Sequence, residues 1–232
     1  VRFLSKLHGM ARREPCITVC AIMWTSSFSI QQAPPELRRK IARSEVNEFP
    51  LWQWEGPIDL VTTAAEADAA LAELARTPVV GFDTETRPAF RKGEYFLPSL
   101  LQLATDERAW VFQLDQLKRD ELVSTVLSAE RPLKAGVSII DDVDDLRQRH
   151  AFPPAGFLDL GEVARESGME TRGLRNLAAN LLGFRISKSA QTSNWARPDL
   201  SEKQIRYAAT DAWVGFLLFH KMLETGILVE NP

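Results

Sequence analysis

The chain is 232 residues long, 45% hydrophobic and 25% charged, an ordinary globular composition. That length suits one domain of generous size with extra segments at its ends, and a core of that size needs no disulfide staples. A formal net charge of −3 argues against tight, non-specific coating of duplexes, and no apolar run of eighteen residues implies a membrane span.

Residues 1–35 read as a poorly structured leader. Arg2, Lys6, Arg12 and Arg13 precede a short apolar run, Cys16 to Trp24, which loosely resembles a signal or transit peptide but lacks a clean small-residue cleavage site. Met10 and Met23 are alternative starts. Cys16 and Cys20 are the only cysteines. With no second ligand pair beside them, they read as reduced thiols of a cytoplasmic protein rather than as a metal or redox pair.

Ala33-Pro34-Pro35 breaks the chain, and residues 36–57 are expected to form an N-terminal extension. A short basic helix is predicted over Glu36 to Ser44, with breaks at Phe49-Pro50 and Gly56-Pro57. Residues 58–230 read as the main domain. Ile58 to Val61 has strand character, and Thr63 opens a helix with a capping box to Glu66. Val79-Val80-Gly81-Phe82-Asp83 suits a buried central strand. A polar loop over Arg87 to Pro98 leads to strands at Leu100 to Ala104 and Ala109 to Phe112, then a helix over Leu117 to Ala129. A strand over Leu133 to Ile139 runs into a helix through Asp142 to Arg149. Further helices are predicted near Leu160 to Ser167, Gly173 to Leu182 and Ser201 to Glu224. Strands first, with helices between and after them, indicate an α/β domain of layered type.

Three acidic segments stand out. In Gly81-Phe82-Asp83-Thr84-Glu85-Thr86, alternation along a strand puts Asp83 and Glu85 on one face and Thr84 on the other. Two neighbouring carboxylates at the end of an apolar strand are costly to bury unless a cation neutralises them, and an oxygen-only ligand set suits Mg²⁺ or Mn²⁺. Two solvated acids at a strand end are the plainer alternative. Asp141, Asp142, Asp144 and Asp145 crowd the start of the next helix, where capping explains one or two of them. Tyr207 and Asp211, four residues apart on a helix, address one point in space, with Ala208 and Ala209 permitting close approach.

Taken together, and in this order, these segments resemble the DEDD 3′→5′ exonucleases of the tyrosine subtype, in the branch of ribonuclease D and the Werner-syndrome exonuclease. Asp83-Thr84-Glu85 is similar to their first motif, Gly136-Val137 with Asp142 to the second, and Tyr207 with Asp211 to the third. The histidine subtype needs His five residues before the Asp, where Arg206 stands. Leu181-Leu182-Gly183-Phe184, Lys188, Ser193-Asn194-Trp195 and Leu200-Ser201 are similar to the Werner-type branch. Ser138 departs from a position where that family often has glycine, and Asp141 competes with Asp142 for the second motif.

The resemblance implies a ribonuclease H-like fold, a mixed sheet of five to six strands flanked by helices. It also implies two divalent ions, Mg²⁺ or Mn²⁺, and a nucleic-acid substrate with a 3′ end, DNA slightly favoured over RNA. Asp83 would bridge both ions, Glu85 and Asp211 would hold the one that activates water, and Asp142 would support the other. Tyr207, a poor base at an ordinary pKa near 10, would position the water. Nucleic-acid contacts are expected at Thr84, Leu101, Gln102, Lys188 and Trp195. For Leu101 plain core is the alternative, and for Trp195 a buried structural role. Arg197 and Lys203 are further phosphate contacts to weigh, and Arg87, Arg91 and Lys92 would guide a strand toward the site. Rival readings are a catalytically dead binding scaffold on the same fold and a two-metal phosphoesterase for small substrates. The intact acidic quartet argues against the first, and the scattered His8, His150 and His220 against the second.

Overall fold

The computed structural model describes residues 27–231. Cys16, Cys20, the alternative starts and most of the expected leader lie outside them. In chain order the elements are β1 (Phe28–Ile30), α1 (Pro35–Arg38), α2 (Arg43–Glu48), β2 (Ile58–Val61), α3 (Ala64–Leu74), β3 (Val79–Glu85), β4 (Leu100–Ala104) and β5 (Ala109–Gln113). Then come α4 (Leu114–Leu117), α5 (Asp120–Leu127), β6 (Leu133–Gly136), α6 (Ile140–Arg149), β7 (Phe157–Asp159), α7 (Leu160–Glu166) and α8 (Leu174–Leu177). A π-helical turn (Ala178–Leu182), α9 (Glu202–Glu224) and β8 (Leu228–Glu230) complete the chain. Among these residues no helix is long and apolar enough to cross a membrane.

Six strands form one mixed sheet in the order β2-β5-β4-β3-β6-β7. β3 pairs antiparallel with β4 and parallel with β6, so it is central and flanked on both edges. Its first four residues are buried, which is why that stretch is apolar without alternation. On one face, Val80, Phe82, Leu101 and Leu103 pack with residues of α3, α5 and α6. The opposite face lies under α9, whose Val214 and Leu218 join Val79 and Ala135 in a second core.

Two glycines set how closely α9 sits on the sheet. A Cβ on Gly81 would lie 1.8 Å from the Ala212 carbonyl oxygen, and one on Gly215 would lie 2.7 Å from that of Ala135. Helix backbone therefore rests on strand backbone.

Several elements differ from expectation. The predicted helix over Glu36 to Ser44 is two short helices, α1 and α2, separated by the extended Arg39. The helix expected over Leu117 to Ala129 is interrupted at Lys118, which adopts a left-handed φ of 50°, so α4 and α5 are distinct. The helix over Gly173 to Leu182 is α8 followed by the π-helical turn. The expected leader includes β1, which pairs antiparallel with β8. The capping box holds: Thr63 Oγ1 accepts from the Glu66 backbone N–H at 3.3 Å, and Glu66 accepts from that of Thr63 at 2.9 Å.

Gly81→Ala is expected to lower stability by about 1–3 kcal/mol or more, because neither backbone can yield. A shifted urea midpoint at constant slope measures it.

Candidate active site

The site sits where β3 ends. Asp83 and Glu85 are two residues apart, share the face toward α9, and are half-buried. Helix α9 starts at a second capping box, in which Ser201 Oγ accepts from the Gln204 backbone N–H at 3.3 Å and Gln204 Oε1 accepts from that of Ser201 at 3.1 Å. This fixes the helix start and hence its phase. Tyr207 and Asp211 follow one turn apart, ahead of the Gly81 contact at Ala212. Asp211 is only 6% exposed, and its Oδ1 is buried without a hydrogen-bond partner.

Asp142 comes from the first turn of α6. Thr84, on the strand face opposite Asp83, donates its hydroxyl hydrogen to Asp142 Oδ1. Asp141 is exposed. The geometry thus selects Asp142 of the two candidates for this position.

A residue that motif reasoning missed holds this corner together. Asp159, at the end of β7, is 5% exposed and accepts four backbone N–H groups. Gly161 and Glu162 lie at the start of its own helix, α7. Ser138 and Ile139 (both at 2.9 Å) lie just before α6. Ser138 has φ 62°, a left-handed conformation secured by this grip. An Asp before a helix signals an N-cap in any sequence; the reach across to a second helix leaves no local trace.

Burial and mutual repulsion dominate the electrostatics. Asp83 is raised well above the usual carboxylate range by burial and by the charges of Asp211 and Asp142. Burial, then the charges of Asp83, Asp211 and Asp142, push Glu85 up to about 10. Burial likewise raises Asp142 to about 6, opposed by the Thr84 hydrogen bond. It raises Asp211 to about 7, opposed by a hydrogen bond from Tyr207. Tyr207 itself is driven far up by burial and the surrounding acids, so it keeps its proton and stands as a hydrogen-bond donor.

These residues fit a divalent cation by chemistry. The donors are all carboxylate oxygens, no cationic side chain among the described residues pairs with any of them, and Asp211 Oδ1 lacks a partner. As placed, no three His, Cys, Asp or Glu side chains among the described residues make a ready metal site. The acids are nonetheless near enough for their charges to act on one another: Asp83 feels Asp211 and Asp142, and Glu85 feels all three.

Of the expected substrate contacts, Lys188 lines the same cavity as Tyr207 and Asp211. Three others are corrected. Trp195 is wholly buried, its ring centroid 5.8 Å from that of Tyr207, so it supports the tyrosine and presents no face to a base. Leu101 is wholly buried in the core on the Thr84 face, away from Asp83. Gln102 lies directly opposite Asp83 on β4 but is sealed from solvent, with neither amide atom hydrogen-bonded. Thr84 is committed to Asp142. Arg197 and Lys203 are exposed and do not line the cavity. In the loop after β3, Arg87 stacks on the Phe96 ring at 4.1 Å, while Arg91 and Lys92 are exposed.

Solved structures share this architecture. The EXO domain of Nibbler from Aedes aegypti superposes with a TM-score of 0.68 at 24% identity, covering 76% of this chain and 91% of that one. Ribonuclease D from Escherichia coli superposes with a TM-score of 0.65 at 20% identity, covering 73% and 45%. The fold is ribonuclease H-like. In sequence, the chain is 31% identical over 154 residues to the mouse bifunctional 3′–5′ exonuclease/ATP-dependent helicase WRN, covering 64% of this chain and 11% of that protein. It is 31% identical over 164 residues to DNA polymerase I of Aquifex aeolicus, covering 71% and 27%. The chain thus spans about a quarter or less of these curated relatives. Residues 58–226 match the 3′–5′ exonuclease family of nucleic-acid hydrolases, and the chain belongs to that family.

Two outcomes follow from the site's construction. Carboxyls raised in the folded state stabilise it fully below their unfolded pKa near 4, and that contribution is lost as pH rises through about 6 and 7 for Asp142 and Asp211. Metal-free protein is therefore expected to melt at falling temperatures from pH 5 to 8. Added Mg²⁺ or Mn²⁺ should raise the melting temperature most at the alkaline end, because the ion displaces protons. Asp211→Asn should flatten both trends in thermal melts. Separately, Asp159→Ala is expected to cost at least about 2 kcal/mol in chemical denaturation, since four buried N–H groups lose their acceptor.

Proposed function

We propose that this protein is a divalent-metal-dependent 3′→5′ exonuclease that releases nucleoside 5′-monophosphates from a nucleic-acid end. The observation that carries the reading is the burial of Asp83, Glu85, Asp142 and Asp211, with Tyr207, around the end of β3, with no ion pair to any of these acids among the described residues. An acidic cluster of this cost is retained for a ligand of opposite charge. Asp83, Glu85 and Asp211 would hold ions, with Asp142 supporting from α6; two ions are the number this set of four acids suits. When bound, the metal would neutralise the phosphate and make a water more acidic.

The chain's own residues supply the rest. Tyr207, protonated and buttressed by Trp195, hydrogen-bonds to Asp211; once that carboxylate holds an ion, the hydroxyl would turn to position the attacking water beside it. The water oxygen forms a bond to phosphorus as the bond from phosphorus to the upstream O3′ breaks. The O3′ leaves with a proton, and the terminal nucleotide departs as its 5′-monophosphate. Phosphoryl chemistry of this kind asks mainly for positioning and charge stabilisation.

DNA is the slightly favoured substrate. Its support is the similarity of Leu181 to Ser201 to the Werner-type branch, together with the relatives named as a DNA polymerase and a helicase-linked exonuclease. Residues 58–230 would form the exonuclease domain, with residues 36–57 as an extension bound to it.

A labelled oligonucleotide trimmed from its 3′ end tests the proposal. Wild type should give a ladder in Mg²⁺ or Mn²⁺ and none in chelator. Asp83→Ala should abolish trimming while the protein stays folded by circular dichroism. Tyr207→Phe should retain binding and lose about 10²-fold in kcat, as for removal of one positioning donor. Near-normal trimming by Asp83→Ala refutes the assignment.

A further inference from the structure

The cavity beside Tyr207 and Asp211 has a volume of about 240 Å³, and one wall of it is cationic, carrying Arg175 and Lys188. Neither takes part in an ion pair among the described residues. Arg175 is only partly exposed, and it is held from one side: its Nη2 donates to Asn47 Oδ1 at 2.8 Å. Its Nε is buried with no acceptor. Asn47 supplies a neutral acceptor and no counter-charge, so the guanidinium keeps a charge that an arriving anion would offset. The planar fork, fixed at one nitrogen, leaves the remaining donors to meet two oxygens of a phosphate.

Asn47 belongs to α2, which precedes residue 58, where the family match begins. Its neighbour Val46 is buried against Ile41 and Ala179, the latter in the π-helical turn. This packing fastens α2 to the segment that follows Arg175 and holds Asn47 where the arginine can use it.

We propose that Arg175, braced by Asn47 and paired across the cavity wall with Lys188, binds a backbone phosphate of the nucleic-acid strand next to the reaction centre. This rests on the exonuclease reading and adds that the segment before the family domain shapes the substrate site. Asp211 is the one acid among the residues lining the cavity, against the two cations of this wall, so a polyanion entering it is drawn toward the wall and finds its reacting phosphate beside Asp211. A phosphate contact reads neither base nor sugar, so DNA and RNA are served alike at this subsite.

The test is steady-state trimming of matched single-stranded DNA and RNA by the full chain, with salt varied. Arg175→Ala and Lys188→Ala are each expected to raise KM about tenfold on both substrates with kcat little changed. Each should also reduce the salt exponent of kcat/KM by about 0.7, the share of one phosphate on a single strand. Asn47→Ala should raise KM less, and Arg175→Lys should restore part of the loss. Unchanged melting temperatures should accompany all four. An unchanged KM and salt exponent in Arg175→Ala, while wild type trims normally, overturns the site alone. Absence of trimming by wild type overturns the exonuclease reading and this site with it. Inorganic phosphate at matched ionic strength is the remaining arm: if Arg175→Ala relieves its inhibition yet leaves strand KM untouched, the site takes free anions only and the proposal fails.

Discussion

Helix α9 resting backbone-to-backbone on strand β3 is the contact on which the rest depends. Gly81 and Gly215 remove the Cβ atoms that would hold the two elements apart. Asp83 and Glu85 ride on the strand, while Tyr207 and Asp211 ride on the helix just ahead of that contact. With a larger separation the four side chains would face one another across a filled core. At this separation the charges on strand and helix act on one another. The capping box at Ser201 fixes the helix start, and the glycine contact fixes its height, so phase and distance are set independently.

The same closeness makes the site the least comfortable part of the molecule. Burial raises the proton affinity of all four carboxyls, the charges of their neighbours add to it at Asp83 and Glu85, and among the described residues no basic side chain pairs with them. Thr84 hydrogen-bonds to Asp142 and Tyr207 to Asp211, and Asp159 anchors the turn from which Asp142 is presented. The surrounding packing absorbs the cost: both faces of β3 are covered by continuous apolar cores. Stability in this protein is spent at one strand end and regained across the sheet.

Much of this was legible in the sequence, and the reason is periodicity. Strand alternation sufficed to place Asp83 and Glu85 on one face, and helical spacing to align Tyr207 with Asp211; both are local rules. The mixed sheet flanked by helices likewise follows from the order of apolar runs. What escaped is non-local. Leu101 and Gln102 sit two strands' width of context away from any local cue, and their burial depends on what α3 and α9 cover. Trp195 is buried because Tyr207 lies against it, a pairing across twelve positions that no period predicts. Asp159 and Arg175 matter through partners 20 or more residues distant. The break at Lys118 was missed because a left-handed non-glycine residue carries no compositional flag.

The pairing of β1 with β8 has an architectural consequence. The Asn231 backbone N–H donates to the Ser27 carbonyl at 2.7 Å, so the two ends of the described chain are neighbours. They lie beside Pro78 and Val79, at the opening end of β3, whereas the acids occupy its far end. Seven strand residues separate the two, a span of about 20 Å. Any polypeptide attached at either end therefore emerges from a common point, behind the catalytic cleft and clear of its mouth.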